Sequence, residues 1–123
     1  MQKHLLIIDD DDDIRYILRE VFEPLGYRVF LLPVVYNIFD AISEYRPDLI
    51  LLDYKLTEGN GAEICYDVKS NAGTHHIPII MLSAYPQDML ANGNHGWDNF
   101  MAKPFDVVKL QNMVDRYLAP RTV

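Results

Sequence analysis

The stretch LLIIDDDDDIRYILREVFEPLG, residues 5–26, decides the fold. Leu5, Leu6, Ile7 and Ile8 are apolar with no polar alternation, so both sides of that segment want cover, as in a strand of a parallel sheet flanked by helices. A run of acids follows, and then Ile14, Ile17, Leu18, Val21, Phe22 and Leu25 recur at the spacing of one helix face, ending before Gly26. A buried strand leading into an amphipathic helix is the first part of a βαβ unit.

The same alternation runs outward to the end of the chain. Residues 28–32 read as a second strand, 35–45 as a helix closed by Arg46-Pro47, and 49–52 as a third strand, apolar throughout. Gly59-Asn60-Gly61 reads as loop and 62–70 as a helix that buries Cys65; residues 77–82 form a fourth strand entered through His75, His76 and Pro78. Residues 99–102 make a short fifth strand. Lys103-Pro104 opens the last helix, with Val107, Leu110, Val114 and Leu118 on one face and Pro120 beyond its end. Five β/α pairs imply an α/β fold: a three-layer, doubly wound (βα)5 domain around a five-stranded parallel sheet. Residues 85–96, YPQDMLANGNHG, offer only Met89 and Leu90 to a core and carry two glycines, so a helix there should be short or mobile.

At 123 residues the chain has room for one domain, with a core over about residues 3–119 and no output domain. Half the residues are apolar and 24% charged, which suits a packed globule. The net charge of −7 argues against non-specific binding to nucleic acid or anionic membrane. One cysteine forms no internal disulfide, and no apolar run suggests a signal peptide or membrane span, so the expected compartment is the cytoplasm.

Ligands of open parallel sheets bind at the carboxyl ends of the strands. Strand one ends in Asp9-Asp10, strand three in Asp53, strand four in Ser83 and strand five in Lys103-Pro104. Like charges gathered at one edge repel, so three carboxylates there are tolerable around a divalent cation. With oxygen ligands and no nearby Cys or paired His, Mg²⁺ is favoured over zinc, with Mn²⁺ as a substitute. A carboxylate nucleophile, a cation, a lysine and a hydroxyl are the parts needed for phosphoryl transfer to aspartate.

Four motifs carry a resemblance over essentially the whole chain: IIDDD at residues 7–11, LILLDYKLTEGNG at 49–61, IIMLSA at 79–84 and WDNFMAKPF at 97–105. In that order they resemble the receiver domain of two-component response regulators, of the single-domain, chemotaxis-regulator-like kind. The resemblance implies a flavodoxin-like sheet of order 2-1-3-4-5. It further implies that Asp53 is the phospho-acceptor, that Asp9, Asp10, Asp53 and the Lys55 main-chain carbonyl hold Mg²⁺, that Lys103 and Ser83 contact the phosphoryl group, and that Phe100 is an aromatic that changes rotamer with it. The implied donor is a histidine kinase or phosphotransfer protein, and the implied output is a changed surface for a downstream protein, on a monomer or a phosphorylation-dependent dimer. No enzymatic turnover is implied beyond self-phosphorylation and self-dephosphorylation at Asp53. Two positions depart from the family pattern: Thr57 stands where Pro is usual, and Trp97, where a small residue is usual, is expected to be exposed or to cap the face of the fourth helix.

Plainer readings apply elsewhere. Asp11, Asp12 and Asp13 suit the first turn of a helix, whose dipole favours acids, and His75 with His76 reads as a loop pair. Three other functions compete with a phospho-accepting switch. A Mg²⁺-dependent phosphohydrolase of haloacid-dehalogenase type wants an acid two residues after its nucleophile, where this chain has Lys55. An FMN carrier wants a phosphate cradle where this chain has an acidic run. A phosphorylation-independent receiver-like interaction module would keep the fold and leave the acids idle.

Overall fold

The computed structural model describes residues 2–57 and 59–118. Five strands, β1 (His4–Ile8), β2 (Arg28–Leu32), β3 (Leu49–Asp53), β4 (Ile79–Ser83) and β5 (Asn99–Ala102), alternate with five helices, α1 (Asp12–Phe22), α2 (Ile38–Tyr45), α3 (Gly61–Lys69), α4 (Pro86–Ala91) and α5 (Val107–Leu118). All pairings are parallel, in the order β2-β1-β3-β4-β5. The doubly wound sheet expected from the sequence is therefore present, with the expected strand order.

Each strand sorts its residues onto two cores. Leu6, Ile8, Ile50, Leu52, Ile79 and Met81 pack with Ile38, Ala41, Ala62, Cys65, Val68 and Met89 of α2, α3 and α4. Leu5, Ile7, Leu49, Leu51, Ile80 and Leu82 pack with Leu18 and Phe22 of α1 and with Leu110, Val114 and Leu118 of α5. That division explains the unbroken apolar runs: odd and even positions both face helices, and each fully buried Leu or Ile contributes about 1.5–3 kcal/mol.

Helix boundaries depend on caps, and here the sequence expectations need correction. Asp11 is the N-cap of α1, accepting from the N–H groups of Asp13 and Ile14, so only Asp12 and Asp13 are first-turn acids. Leu25 leaves the helical stripe: a short 3-10 turn over Glu23–Leu25, closed by Gly26 at φ 96°, turns it to solvent, and Ile17 is exposed as well. The second helix begins at Ile38 rather than at residue 35, because the Asn37 side chain accepts from Phe39 and Asp40 and leaves Val35 and Tyr36 in the loop. The fourth strand starts two residues late, after Pro78, whose ring nitrogen has no proton for the ladder although its carbonyl accepts from Ile50. Pro104 does not open the last helix. Asp106 caps it, accepting from Val108 and Lys109, and Pro104 follows a cis peptide in the preceding loop. Pro120 lies outside the described residues.

The expected weak helix at 85–96 is six residues long and buries Met89, leaving Leu90 exposed. Trp97 is buried in the same core as Met89 rather than exposed. Among the described residues, no helix is long and apolar enough to cross a membrane.

Candidate functional site

Sheet register alone brings the acids together. Ile8 pairs with Leu52, so the next residues along, Asp9 and Asp53, emerge side by side at the carboxyl edge. Asp53 is itself registered to Leu82, and Ser83 to Ala102, which sets Ser83 and Lys103 one step beyond the acceptor strand. Asp9 is fully buried, Ser83 is 1% exposed and Asp53 is 7% exposed. One carboxylate oxygen from each of Asp9, Asp10 and Asp53 lies within 4.8 Å of the other two.

Lys103 is the counter-charge. Its ammonium donates to Asp9 Oδ2 at 2.7 Å and lies 3.4 Å from Asp53 Oδ2. Burial works to lower its pKa, but the hydrogen bond and attraction to Asp9, helped by Asp53, hold the ammonium above its usual value. Burial, with the neighbouring Asp9 charge, pushes the Asp53 carboxyl up to about 6, against the opposing pull of Lys103. Asp10 goes the other way: hydrogen bonding from Thr57 keeps its carboxyl below the usual aspartate value.

The surroundings fix these groups. Asp11 N–H donates to Asp9 Oδ1 at 3.0 Å, and Arg15 Nη1 reaches back from α1 to the Asp9 carbonyl at 2.7 Å. Ser83 Oγ accepts from Tyr85 N–H at 2.9 Å, leaving its hydroxyl proton to point elsewhere. Lys55 bridges to Asn60 across the β3–α3 loop, and its ammonium stacks over the Tyr85 ring 4.4 Å from the centroid. Phe100 is half-buried against the α2–α4 core.

Asp9, Asp10, Asp53, Ser83 and Lys103 are thus gathered at one edge, while Phe100 belongs to the neighbouring core. Sequence reasoning missed Arg15 and the contact of Thr57 with Asp10. Arg15 was legible in part, as the cation one helical turn from the acidic run. The Thr57 contact joins residues 47 positions apart and had no local signal.

Comparison with known proteins agrees with this architecture. The response regulator receiver domain family matches residues 5–115. The chain belongs to that family. This receiver domain is 35% identical over 120 residues to sporulation initiation phosphotransferase F of Bacillus subtilis, covering 96% of this chain and 95% of that protein. It is 34% identical over 110 residues to the KDP operon transcriptional regulatory protein KdpE of Escherichia coli, covering 88% of this chain but only 48% of that protein, so the receiver spans about half of that relative. Among solved structures, a response regulator from Chloroflexus aurantiacus superimposes with a TM-score of 0.87 at 29% identity, covering 98% of this chain and all of that one. Receiver domains of this family are signalling switches rather than turnover enzymes.

The donor set of this receiver suits a hard divalent cation. Three carboxylate oxygens lie within one coordination sphere's reach, and burial together with the neighbouring Asp9 charge, which raises the Asp53 pKa, disfavours the Asp53 anion in a way that a dication would relieve.

Proposed function

We propose that the protein is a phospho-accepting switch in a two-component or phosphorelay pathway, with Asp53 as the acceptor. The observation that carries this reading is the placement of Asp53 within a carboxylate cluster, with the Lys103 ammonium 3.4 Å away. A carboxylate oxygen of Asp53 attacks the donor phosphorus; the new O–P bond forms as the donor's bond to phosphorus breaks, and its electron pair leaves with the donor. At pH 7, a carboxyl with a pKa of about 6 is mostly ionised and able to attack. Asp9, Asp10, Asp53 and the Lys55 main-chain carbonyl would hold Mg²⁺, which supplies charge neutralisation when bound. Lys103, 3.4 Å from Asp53, would pair with a phosphoryl oxygen, and the Ser83 hydroxyl would supply a further donor.

The added phosphoryl group brings roughly −1.5 to −2 charge to the strand ends. Lys103 must then divide its donors between Asp9 and the new anion, and Ser83 must turn toward it. Either shift would alter the loops that lead into α4 and α5, and Phe100, on β5 between them and packed against the α2–α4 core, is the proposed switch aromatic. The donor is proposed to be a histidine kinase or phosphotransfer protein, and the output a contact with a downstream protein. The single buried cysteine, Cys65, suits the proposed cytoplasmic setting.

The test is intact-protein mass after incubation with acetyl phosphate, with and without MgCl₂, on wild type and Asp53→Asn. A single phosphoryl adduct that requires Mg²⁺ and disappears in the variant supports the reading. No adduct with this donor or with a histidine kinase favours the phosphorylation-independent interaction module.

A further inference from the structure

Two donors from one residue converge on a single oxygen of the acidic pocket. The backbone N–H of Thr57 donates to Asp10 Oδ2 at 2.8 Å, and the Thr57 hydroxyl donates to the same atom. Asp10 is half-buried on the loop between β1 and α1, while Thr57 is exposed on the loop between β3 and α3. The contact ties together the two loops that flank Asp53. A free carboxylate on the first loop could rotate into solvent; with Oδ2 held twice, its rotamer is fixed while its other lone pairs remain available.

Resting on the acceptor-pocket reading above, we propose that Thr57 is a positioning residue for the cation. It holds the Asp10 carboxylate in the orientation in which that group takes a divalent ion beside Asp9 and Asp53. Partners that orient a ligating carboxylate are commonly worth 10–100-fold in metal affinity. The hydroxyl is the separable half of the clamp: Val keeps the shape and the N–H but not the O–H, and Ser keeps both donors.

The test is titration of the metal-free protein with MnCl₂, followed by the electron paramagnetic resonance of the free ion, with MgCl₂ as competitor. Wild type, Thr57→Val and Thr57→Ser are compared, with thermal melting of each metal-free protein as the folding control. Thr57→Val should bind Mn²⁺ and Mg²⁺ roughly 10-fold more weakly, within the range typical for such partners. Thr57→Ser should return to wild-type affinity, and all three should melt alike without metal. Equal affinities in the three proteins, or tighter binding by Thr57→Val, would overturn the clamp while leaving the pocket standing. A Val defect that Ser does not restore would also overturn it, because shape rather than the hydroxyl would then be responsible. No binding by wild type would overturn both the clamp and the pocket.

Discussion

Gly61 lies so close to the acceptor strand that a Cβ on it would stand 2.2 Å from the Asp53 carbonyl oxygen and 3.0 Å from the carbonyl carbon. The close approach is held by the hydrogen bond from Gly61 N–H to the Tyr54 carbonyl, 2.8 Å, and by Asn60, whose side chain caps α3 through Ala62 N–H. Helix α3 therefore begins directly against the backbone of the proposed acceptor.

Gly61→Ala should consequently be costly. The contact is with backbone, which cannot swing aside, so either α3 or the end of β3 must move. A loss of about 1–3 kcal/mol is expected in denaturant titrations. Because the displaced atoms belong to Asp53, the yield of phosphoryl adduct should fall in the protein that remains folded. An Ala variant as stable as wild type would show that the loop absorbs the methyl group freely.

Lys103 is expected to be structural as well as functional. Asp9 is wholly buried, and Lys103 is its ion-pair partner at 2.7 Å. Lys103→Met would strand a buried carboxylate, a change that costs about 3–5 kcal/mol when a buried pair is broken. Chemical denaturation at pH 7 should show the loss, and MgCl₂ should recover part of it by supplying another positive charge. The Lys103 pKa is raised in the fold, so its contribution is complete below the unfolded lysine value and fades only as alkaline pH rises through the folded one. A variant with unchanged stability would mean that Asp9 is satisfied by Asp11 N–H and other donors alone.

The Asp53 pKa is likewise raised by folding, but in its case the charged form is the disfavoured one. Folding raises its pKa from 3.8 to about 6, so the native state binds this proton more tightly than the unfolded chain does. The metal-free protein should lose stability from this group as pH climbs from about 4 to about 6. Asp53→Asn removes the penalty and should be more stable than wild type at pH 7, by roughly 1–3 kcal/mol. The advantage should vanish near pH 4 and shrink when MgCl₂ is added. Melting curves across that range check it; an Asn variant less stable than wild type at pH 7 would show that the carboxylate is already well paired.

The strands and the chemistry at their ends were legible because both are local. Leu49, Ile50, Leu51 and Leu52 announce a doubly covered strand, and a parallel sheet leaves the next residue, Asp53, at the ligand edge. The same logic placed Asp9, Ser83 and Lys103. Helix starts were less legible, since Asn37 and Asp106 act as caps only once the chain has turned, and apolar neighbours such as Val35 mimic a first turn. Contacts made through tertiary structure were hidden altogether. Thr57 meets Asp10, and Asn92 donates to the Tyr54 hydroxyl at 2.9 Å, across distances in sequence that no period encodes.

Trp97 shows how such a contact can compensate for a weak element. Helix α4 has six residues, buries one side chain and is followed by Gly93 and Gly96 in left-handed conformations, so little within it favours order. The core that its Met89 enters also holds Trp97, 7% exposed, with Cys65, Val68 and Ile77. As the chain's one tryptophan, it should give native fluorescence shifted to the blue, moving red on unfolding. Trp97→Ala should cost about 3–5 kcal/mol, and Trp97→Phe, which leaves a smaller cavity, should cost less. The sharper readout is hydrogen exchange at Met89 and Asn92, whose amides close α4 onto Tyr85 and Asp88. In Trp97→Ala these amides should exchange faster by more than the global loss of stability explains, because α4 would open separately from the sheet. If they quicken only in step with the whole protein, α4 is held by its own turn and by the Asn92–Tyr54 bond, and Trp97 is an ordinary core residue.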